Sequence, residues 1–316
     1  MQRFDVHAHF TGFTEPDELQ DYAAHLHREG FPSLGIGAGW SPEAAIGFMD
    51  QRGIDLQLLS WPLPCAAPRA RLVNDRAAAA VAAHPTRFGM LATLPMAEPE
   101  EAVREVHRAL DELGADGFLL LSNTDDAYFG DERFEPVLAE LERVGASVLV
   151  HPTLPAPYEQ LGLGRPAPLI EYPIDTARTI VDAVFAGLLL RHPDLRLVLS
   201  HAGGVLPALA QRVASLGPKP WVVNPRAITP EQVREQLGRL YLDTAIAGGR
   251  DVLDPATAMT GPGHLVFGTD FPPAGPDVAD ATIAQLLAEL PQTDRDAMVT
   301  TFAELFPAAA GRAQGA

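Results

Sequence analysis

The chain has 316 residues with 41 acidic against 23 basic side chains, and its formal net charge of −18 argues against nucleic acid or an anionic membrane as a main partner. One cysteine, Cys65, excludes an intrachain disulfide and a cysteine-rich zinc site, and suits a reducing cytoplasm. No apolar run approaches the roughly 18 residues that cross a membrane, and the N-terminus enters a strand pattern directly, so no signal peptide is expected.

The first predicted strand, 3–7, runs into His7-Ala8-His9. Side chains alternate along a strand, so His-x-His places two imidazoles on one side, where neutral nitrogens can chelate a divalent cation. Alone, the pair fits equally well a strand end that only caps hydrogen bonds. A Gly/Pro-rich loop, 11–39, and Trp40 follow. Helix 42–51 stops at Gly53, strand 55–60 leads to Trp61, and helix 69–83 stops before His84-Pro85. Strand 89–94, helix 100–113 and strand 117–121 come next, the last followed by Asn123. Helix 132–144 precedes strand 147–151, which ends in His151 and opens a second long loop, 152–172. After helix 176–190, strand 196–201 ends in His201, and helix 205–216 carries Arg212. Helix 231–238, strand 240–243, strand 265–269 with Asp270 behind it, and helix 278–290 complete the pattern.

About eight strands thus alternate with about eight helices, which fits a closed (β/α)8 TIM barrel better than an open doubly wound sheet. The expected organisation is one barrel domain over 1–316, with loop insertions at about 11–40 and 152–172. Both insertions would overhang the face where barrel active sites form.

Closure would bring His7, His9, His151, His201 and Asp270 to one mouth, because each ends a different strand or shares the end of the first. His25, His27, His84, His107 and His192 are scattered over helices and loops instead. His7, His9, His151 and Asp270 form a ligand set that leaves a coordination position open, with His201 as general acid or base. His201 as a ligand with Asp270 as the base is an equally complete reading. Lys219 is the only lysine and lies in a Pro-flanked loop, so a lysine-bridged metal pair is excluded and one metal is expected. Trp40, Trp61, Phe10, Phe271 and Tyr172 fall in mouth loops, as aromatic walls of a substrate pocket or as loop packing; Asn123 and Arg178 are further candidates for substrate contacts.

The runs Asp5-Val6-His7-Ala8-His9, Met49-Asp50-Gln51-Arg52-Gly53-Ile54-Asp55, Thr93-Leu94-Pro95, Val150-His151-Pro152, Leu199-Ser200-His201-Ala202-Gly203-Gly204 with Pro207 and Arg212, and Phe267-Gly268-Thr269-Asp270-Phe271-Pro272 resemble one family over nearly the whole chain. It is the decarboxylase-like branch of the amidohydrolase superfamily, typified by aminocarboxymuconate-semialdehyde decarboxylase and the γ-resorcylate and salicylate-type decarboxylases. The resemblance implies one divalent metal on His7, His9, His151 and Asp270, usually zinc and sometimes manganese, with His201 as the catalytic histidine beside it. It also implies that Arg212 reaches the active site of a neighbouring subunit and binds a substrate carboxylate, so that the working unit is a homodimer or homotetramer. Segment 123–153 resembles more the enzymes that decarboxylate 6-methylsalicylate-type acids. The semialdehyde decarboxylase's arginine before the position of Trp40 has no counterpart in Gly35-Ile36-Gly37-Ala38-Gly39, and Thr300-Thr301-Phe302 stands where the family has Asn-Ala. The expected reaction is non-oxidative decarboxylation of a small aromatic or unsaturated carboxylic acid in the cytoplasm. Hydrolysis of a lactone or amide, or hydration of a double bond, would use the same residues, and a non-catalytic barrel is the third reading.

Overall fold

The computed structural model describes residues 2–11, 16–30, 40–156 and 158–315. Eight parallel strands lie in sequence order: β1 (Phe4–His9), β2 (Leu56–Ser60), β3 (Phe88–Thr93), β4 (Gly117–Leu121), β5 (Ser147–His151), β6 (Arg196–Leu199), β7 (Tyr241–Asp243) and β8 (Leu265–Val266). The chain just past β8 returns to β1 through Val6 N to Phe267 O (3.0 Å), Asp270 N to His7 O (2.8 Å) and His9 N to Phe271 O (2.7 Å). The cylinder is therefore nearly closed, and the expected (β/α)8 barrel is the fold observed.

Strand residues face one of two apolar regions. Val6, Leu58, Leu91, Leu119, Leu149, Val198 and Val266 point into the barrel, while Leu59, Ala92, Phe118, Leu120, Val148 and Leu197 pack outwards against the helices. This two-sided burial explains the near-continuous apolar runs read as strands. The helices start and stop where local chemistry says they should. Ser41 Oγ accepts from Ala44 N at 3.2 Å ahead of helix Pro42–Arg52, and Gly53 closes it at φ 60°, a conformation that favours glycine.

Four departures from the expected elements shape the mouth, and helices Arg250–Thr260, Gln292–Leu305 and Pro307–Gln314 stand where no element is expected. Strand β1 extends past residue 7 to His9, and three of its steps, Asp5 to Ala8, face two steps of β2, Gln57 to Leu59. That bulge resets the alternation: Val6 faces the interior, and His7 and His9 follow it inwards. Strand β6 stops at Leu199 because His201 and Ala202 adopt φ of 54° and 53°. Strand β8 is two residues long because Thr269 leaves the ladder to bond the Asp5 carboxylate through its N (3.0 Å) and Oγ1 (2.6 Å). The expected loop 11–39 contains helix Pro16–Arg28, while residues 12–15 and 31–39, including Gly35 to Gly39, lie outside the described residues.

Two C-terminal helices, Gln292–Leu305 and Pro307–Gln314, close the amino-terminal end of the barrel. Phe302 meets Phe4 at a ring distance of 4.9 Å, and Ser147 Oγ donates to Leu305 O at 2.8 Å. At the opposite end, the two long insertions meet: Ala167 N donates to Glu29 O (2.8 Å), as does Tyr158 OH (3.1 Å). No helix among the described residues is long and apolar enough to cross a membrane.

Candidate active site

The carboxyl ends of the strands deliver His7 and His9 (β1), Ser60 (β2), His151 (β5), His201 (after β6), Asp243 (β7) and Asp270 (after β8) to one mouth. Ligand atoms of His7, His9, His151 and Asp270 all lie within 4.8 Å of one another. His7 Nε2 and His9 Nε2 are 3.1 Å apart, and they stand 3.4 and 3.0 Å from Asp270 Oδ1.

The far side of each ring explains why these nitrogens converge. His7 Nδ1 donates to Asp243 Oδ2 at 2.6 Å. His9 Nδ1 donates to Ser60 Oγ at 3.0 Å, whose own hydrogen goes to Ala8 O. His151 Nδ1 donates to Pro152 O at 2.7 Å. Each imidazole carries its hydrogen away from the centre, so three Nε2 lone pairs point at one place. Three adjacent lone pairs repel unless something positive lies between them. Asp270 Oδ1 is buried there and accepts no hydrogen bond, which costs free energy in a buried carboxylate. This donor set suits one divalent cation, with the tautomers fixed by outer partners in the way metal-binding histidines require.

The electrostatics agree. Burial opposes charge on His7, but Asp243 and Asp270 outweigh it and raise its pKa to about 10. Without a cation the second hydrogen would sit on Nε2, so the His7 lone pair would become available as a cation takes that proton's place in the same field. Burial holds His9 below and His151 well below the usual imidazole range, keeping them neutral donors. Burial also works against an ionised Asp270, yet His7, His201 and His9 keep its carboxyl well below the usual range. Asp5, beneath the site, is pushed up to about 6 by burial, against hydrogen bonds from Thr269 and Gln57.

His201 stands apart from this cluster but touches it. Its Nε2 lies 3.4 Å from Asp270 Oδ2, the oxygen turned away from His7 and His9. Its backbone φ of 54° and that of Asp270, 58°, are conformations that L residues rarely adopt. Asp243 Oδ1 holds the first by accepting from His201 N at 2.8 Å, and His7 O holds the second by accepting from Asp270 N at 2.8 Å. Asp243 therefore fixes a cluster histidine with one oxygen and the neighbouring histidine's backbone with the other. The sequence reading missed it, although it ends a predicted strand just as His151 does.

Above the cluster opens a cavity of about 440 Å³, lined by His9, His151, His201 and Asp270 below and by Tyr172, Leu26, Leu63, Leu169, Val205 and Ile246 around it. Tyr172 is the expected aromatic that reaches it. Trp40, Trp61 and Asn123 are not brought to that cavity. Trp40 packs against Phe10 at 5.3 Å, and Trp61 lies under the Arg69 guanidinium at 5.2 Å. Asn123 spends its amide on Asp175 Oδ2 (2.8 Å) and Leu154 O (3.3 Å) and faces a neighbouring cavity. Phe271 stacks on Phe48 at 3.8 Å, and Arg178 pairs with Asp175 at 2.6 Å. Arg212 sits on the exposed side of helix Leu206–Leu216, in an apolar groove with Val181, Phe185, Leu209 and Trp221, outside its own chain's mouth.

The family model described as Amidohydrolase matches residues 4–304. The chain belongs to the amidohydrolase family. Within that family it is 33% identical to the 6-methylsalicylic acid decarboxylase of Penicillium expansum, over 97% of each chain. It is 35% identical to a decarboxylase of Penicillium terrestre, over 86% of this chain and 84% of that one. Among solved structures, the dihydroxybenzoic acid decarboxylase of Polaromonas sp., determined with bound manganese and the inhibitor 2-nitroresorcinol, superposes with a TM-score of 0.82 at 23% identity, covering 97% of both. The decarboxylase branch expected from the sequence is thus the one in which this amidohydrolase's relatives fall.

Proposed function

We propose that the chain is a metal-dependent, non-oxidative decarboxylase of small hydroxyaryl acids, with 6-methylsalicylate as the first substrate to try. The observation that carries this reading is the full-length similarity to a 6-methylsalicylic acid decarboxylase, joined to three imidazoles and a carboxylate that converge at the floor of a cavity. Histidine-rich ligation favours zinc, with manganese as the alternative.

His7, His9, His151 and Asp270 would hold one such ion. When bound, it supplies a positive template for the carboxylate and ortho hydroxyl of the acid. The chain's residues do the rest. Asp270 turns Oδ1 to the cluster and Oδ2 to His201, which leaves His201 lining the cavity as the group able to present a proton. His201 Nε2 delivers it to the ring carbon that bears the carboxylate, forming the new C–H bond. The bond to the carboxylate then breaks, its electron pair restores the aromatic ring, and CO₂ leaves. Solvent returns the proton to His201. The apolar walls, Leu26, Leu63, Leu169, Val205 and Ile246, keep water from the ring and hold it over the histidine. The chain would work as a homodimer or homotetramer in the cytoplasm, with Arg212 of one copy serving the carboxylate bound by the next.

The test is incubation of zinc- or manganese-loaded protein with 6-methylsalicylate. CO₂ and 3-methylphenol should appear in equal amounts. Turnover of lactones or amides, without CO₂ from any hydroxyaryl acid, would replace this reading with the hydrolase one.

A further inference from the structure

The cavity has two unlike sides. Leu26, Leu63, Leu169, Val205, Ile246 and Val252 make most of it apolar. Glu29, immediately beyond helix Pro16–Arg28, puts a carboxylate on the remaining wall together with Tyr22 and Tyr172. Glu29 is only 4% exposed, and its Oε1 accepts the Tyr172 hydroxyl and faces His25 Nε2 at 3.0 Å. Tyr172 in turn stands 6.2 Å from the ring of His151, so this carboxylate lies about one aromatic side chain away from the ligand cluster. The reaction described above makes no use of it.

What the wall lacks matters as much. Among the described residues that line this cavity there is no arginine or lysine. A carboxylate on the far edge of a bound ring would therefore face the Glu29 carboxylate with no arginine or lysine on the described wall, while His25, paired with Glu29 at 3.0 Å, lines the neighbouring cavity instead. Two like charges at such range, away from bulk water, cost about 10- to 100-fold in binding.

We propose that Glu29 is a charge selector that confines the site to aromatic acids with a single carboxylate, the one that leaves, and rejects rings bearing a second. The proposal rests on the decarboxylase reading for the identity of the leaving group. A methyl or hydrogen at the ring edge buries against the apolar side, whereas a second carboxylate is repelled.

Calorimetric titration of metal-loaded protein with salicylate, with 4-hydroxyisophthalate (the same ring plus a second carboxylate) and with the methyl ester of that second carboxylate separates charge from size. Wild type should bind salicylate at least about tenfold more tightly than the diacid, and the ester should come within about threefold of salicylate. Glu29→Gln, which keeps an acceptor for Tyr172, should bring the diacid within about threefold of salicylate by tightening the diacid. An ester as weak as the diacid, an unchanged ratio in folded Glu29→Gln, or no binding of any probe overturns the proposal; the ester arm needs no variant. CO₂ is scored separately: its absence from every hydroxyaryl acid counts against decarboxylation, while the turnover-free binding ratios still decide the role of Glu29.

Discussion

The two ends of the barrel strands differ sharply although the backbone between them is one regular cylinder. At the amino end, Phe4, Leu56 and Val198 interlock with Phe302, Leu305 and Phe306 of the C-terminal helices, all buried and all apolar. At the carboxyl end the same strands finish in His9, Ser60, His151 and Asp243, equally buried but polar and held by specific hydrogen bonds. Burial therefore does not distinguish structure from function here. The foot tolerates any side chains that fill its volume, because dispersion and hydrophobic burial are nondirectional. The mouth tolerates only those that point a particular lone pair in a particular direction.

Removal of a ligand should break the contrast most severely. Asp270→Ala or His9→Ala should abolish stoichiometric metal, read by elemental analysis after gel filtration. CO₂ release should fall by at least about 10⁴-fold. Full metal in either variant would show that the cluster does not hold the ion. Next, His201→Asn should keep metal within about threefold of wild type and lose roughly 10²- to 10⁴-fold in rate, the usual share of a general acid. If metal and rate vanish together, His201 is a ligand and the roles assigned above must be exchanged. At the foot, Phe302→Ala should lower unfolding free energy by about 3–5 kcal/mol, the usual cost of emptying a packed aromatic site. Its metal affinity should not change, provided that the assay temperature lies below its lowered Tm.

The mouth was more legible in the sequence than the foot, and the reason is physical. His7, His9, His151, His201 and Asp270 each follow an apolar run, where a polar residue at a barrel strand's carboxyl end has few structural explanations. Phe302 and Phe306 lie in and just past helix Gln292–Leu305, whose sequence has little amphipathic contrast, so nothing local says that a helix there seals a barrel. The inward placement of His7 and His9 was expected from strict alternation, but it comes from the bulge between Asp5 and Ala8, a feature of pairing with β2 that no single strand reveals. Helix Pro16–Arg28 was hidden by its Gly/Pro-rich surroundings. It did carry signals, with proline in its first turn and His25, His27 and Arg28 in its last. For Trp40 and Trp61 the sequence leaves pocket wall and loop packing open, and the structure shows packing, Trp40 against Phe10 and Trp61 under Arg69. Asp243 is legible by the same rule as His151, since it ends a predicted strand.

Asp243 gives a sharper test of why the mouth needs direction as well as burial. Asp243→Asn preserves volume and an oxygen for His201 N and Ala245 N. Its amide would then face His7 Nδ1 and donate where a carboxylate oxygen had accepted. His7 would have to carry its hydrogen on Nε2, aimed into the ligand cluster. The expected result is a loss of up to about 100-fold in metal affinity by chelator competition, with little change in Tm of the metal-free protein. Unchanged affinity would mean that His7 keeps its orientation without Asp243.

The smallest expected effect is at Ser60, and it isolates a single hydrogen bond. Ser60 Oγ accepts from His9 Nδ1 and donates to Ala8 O, both at 3.0 Å, so it fixes the His9 tautomer without contributing charge. In Ser60→Ala the imidazole keeps its place in the packing, but its hydrogen no longer has an acceptor on the far side. Either tautomer then becomes accessible, and only one presents Nε2 to the cluster. A two-state choice of this kind costs less than the reversed hydrogen bond in Asp243→Asn. Metal affinity should fall by about tenfold, with about 1 kcal/mol lost from stability. Should Ser60→Ala prove as damaging as Asp243→Asn, orientation by any partner would matter equally, and the carboxylate behind His7 would have no special weight.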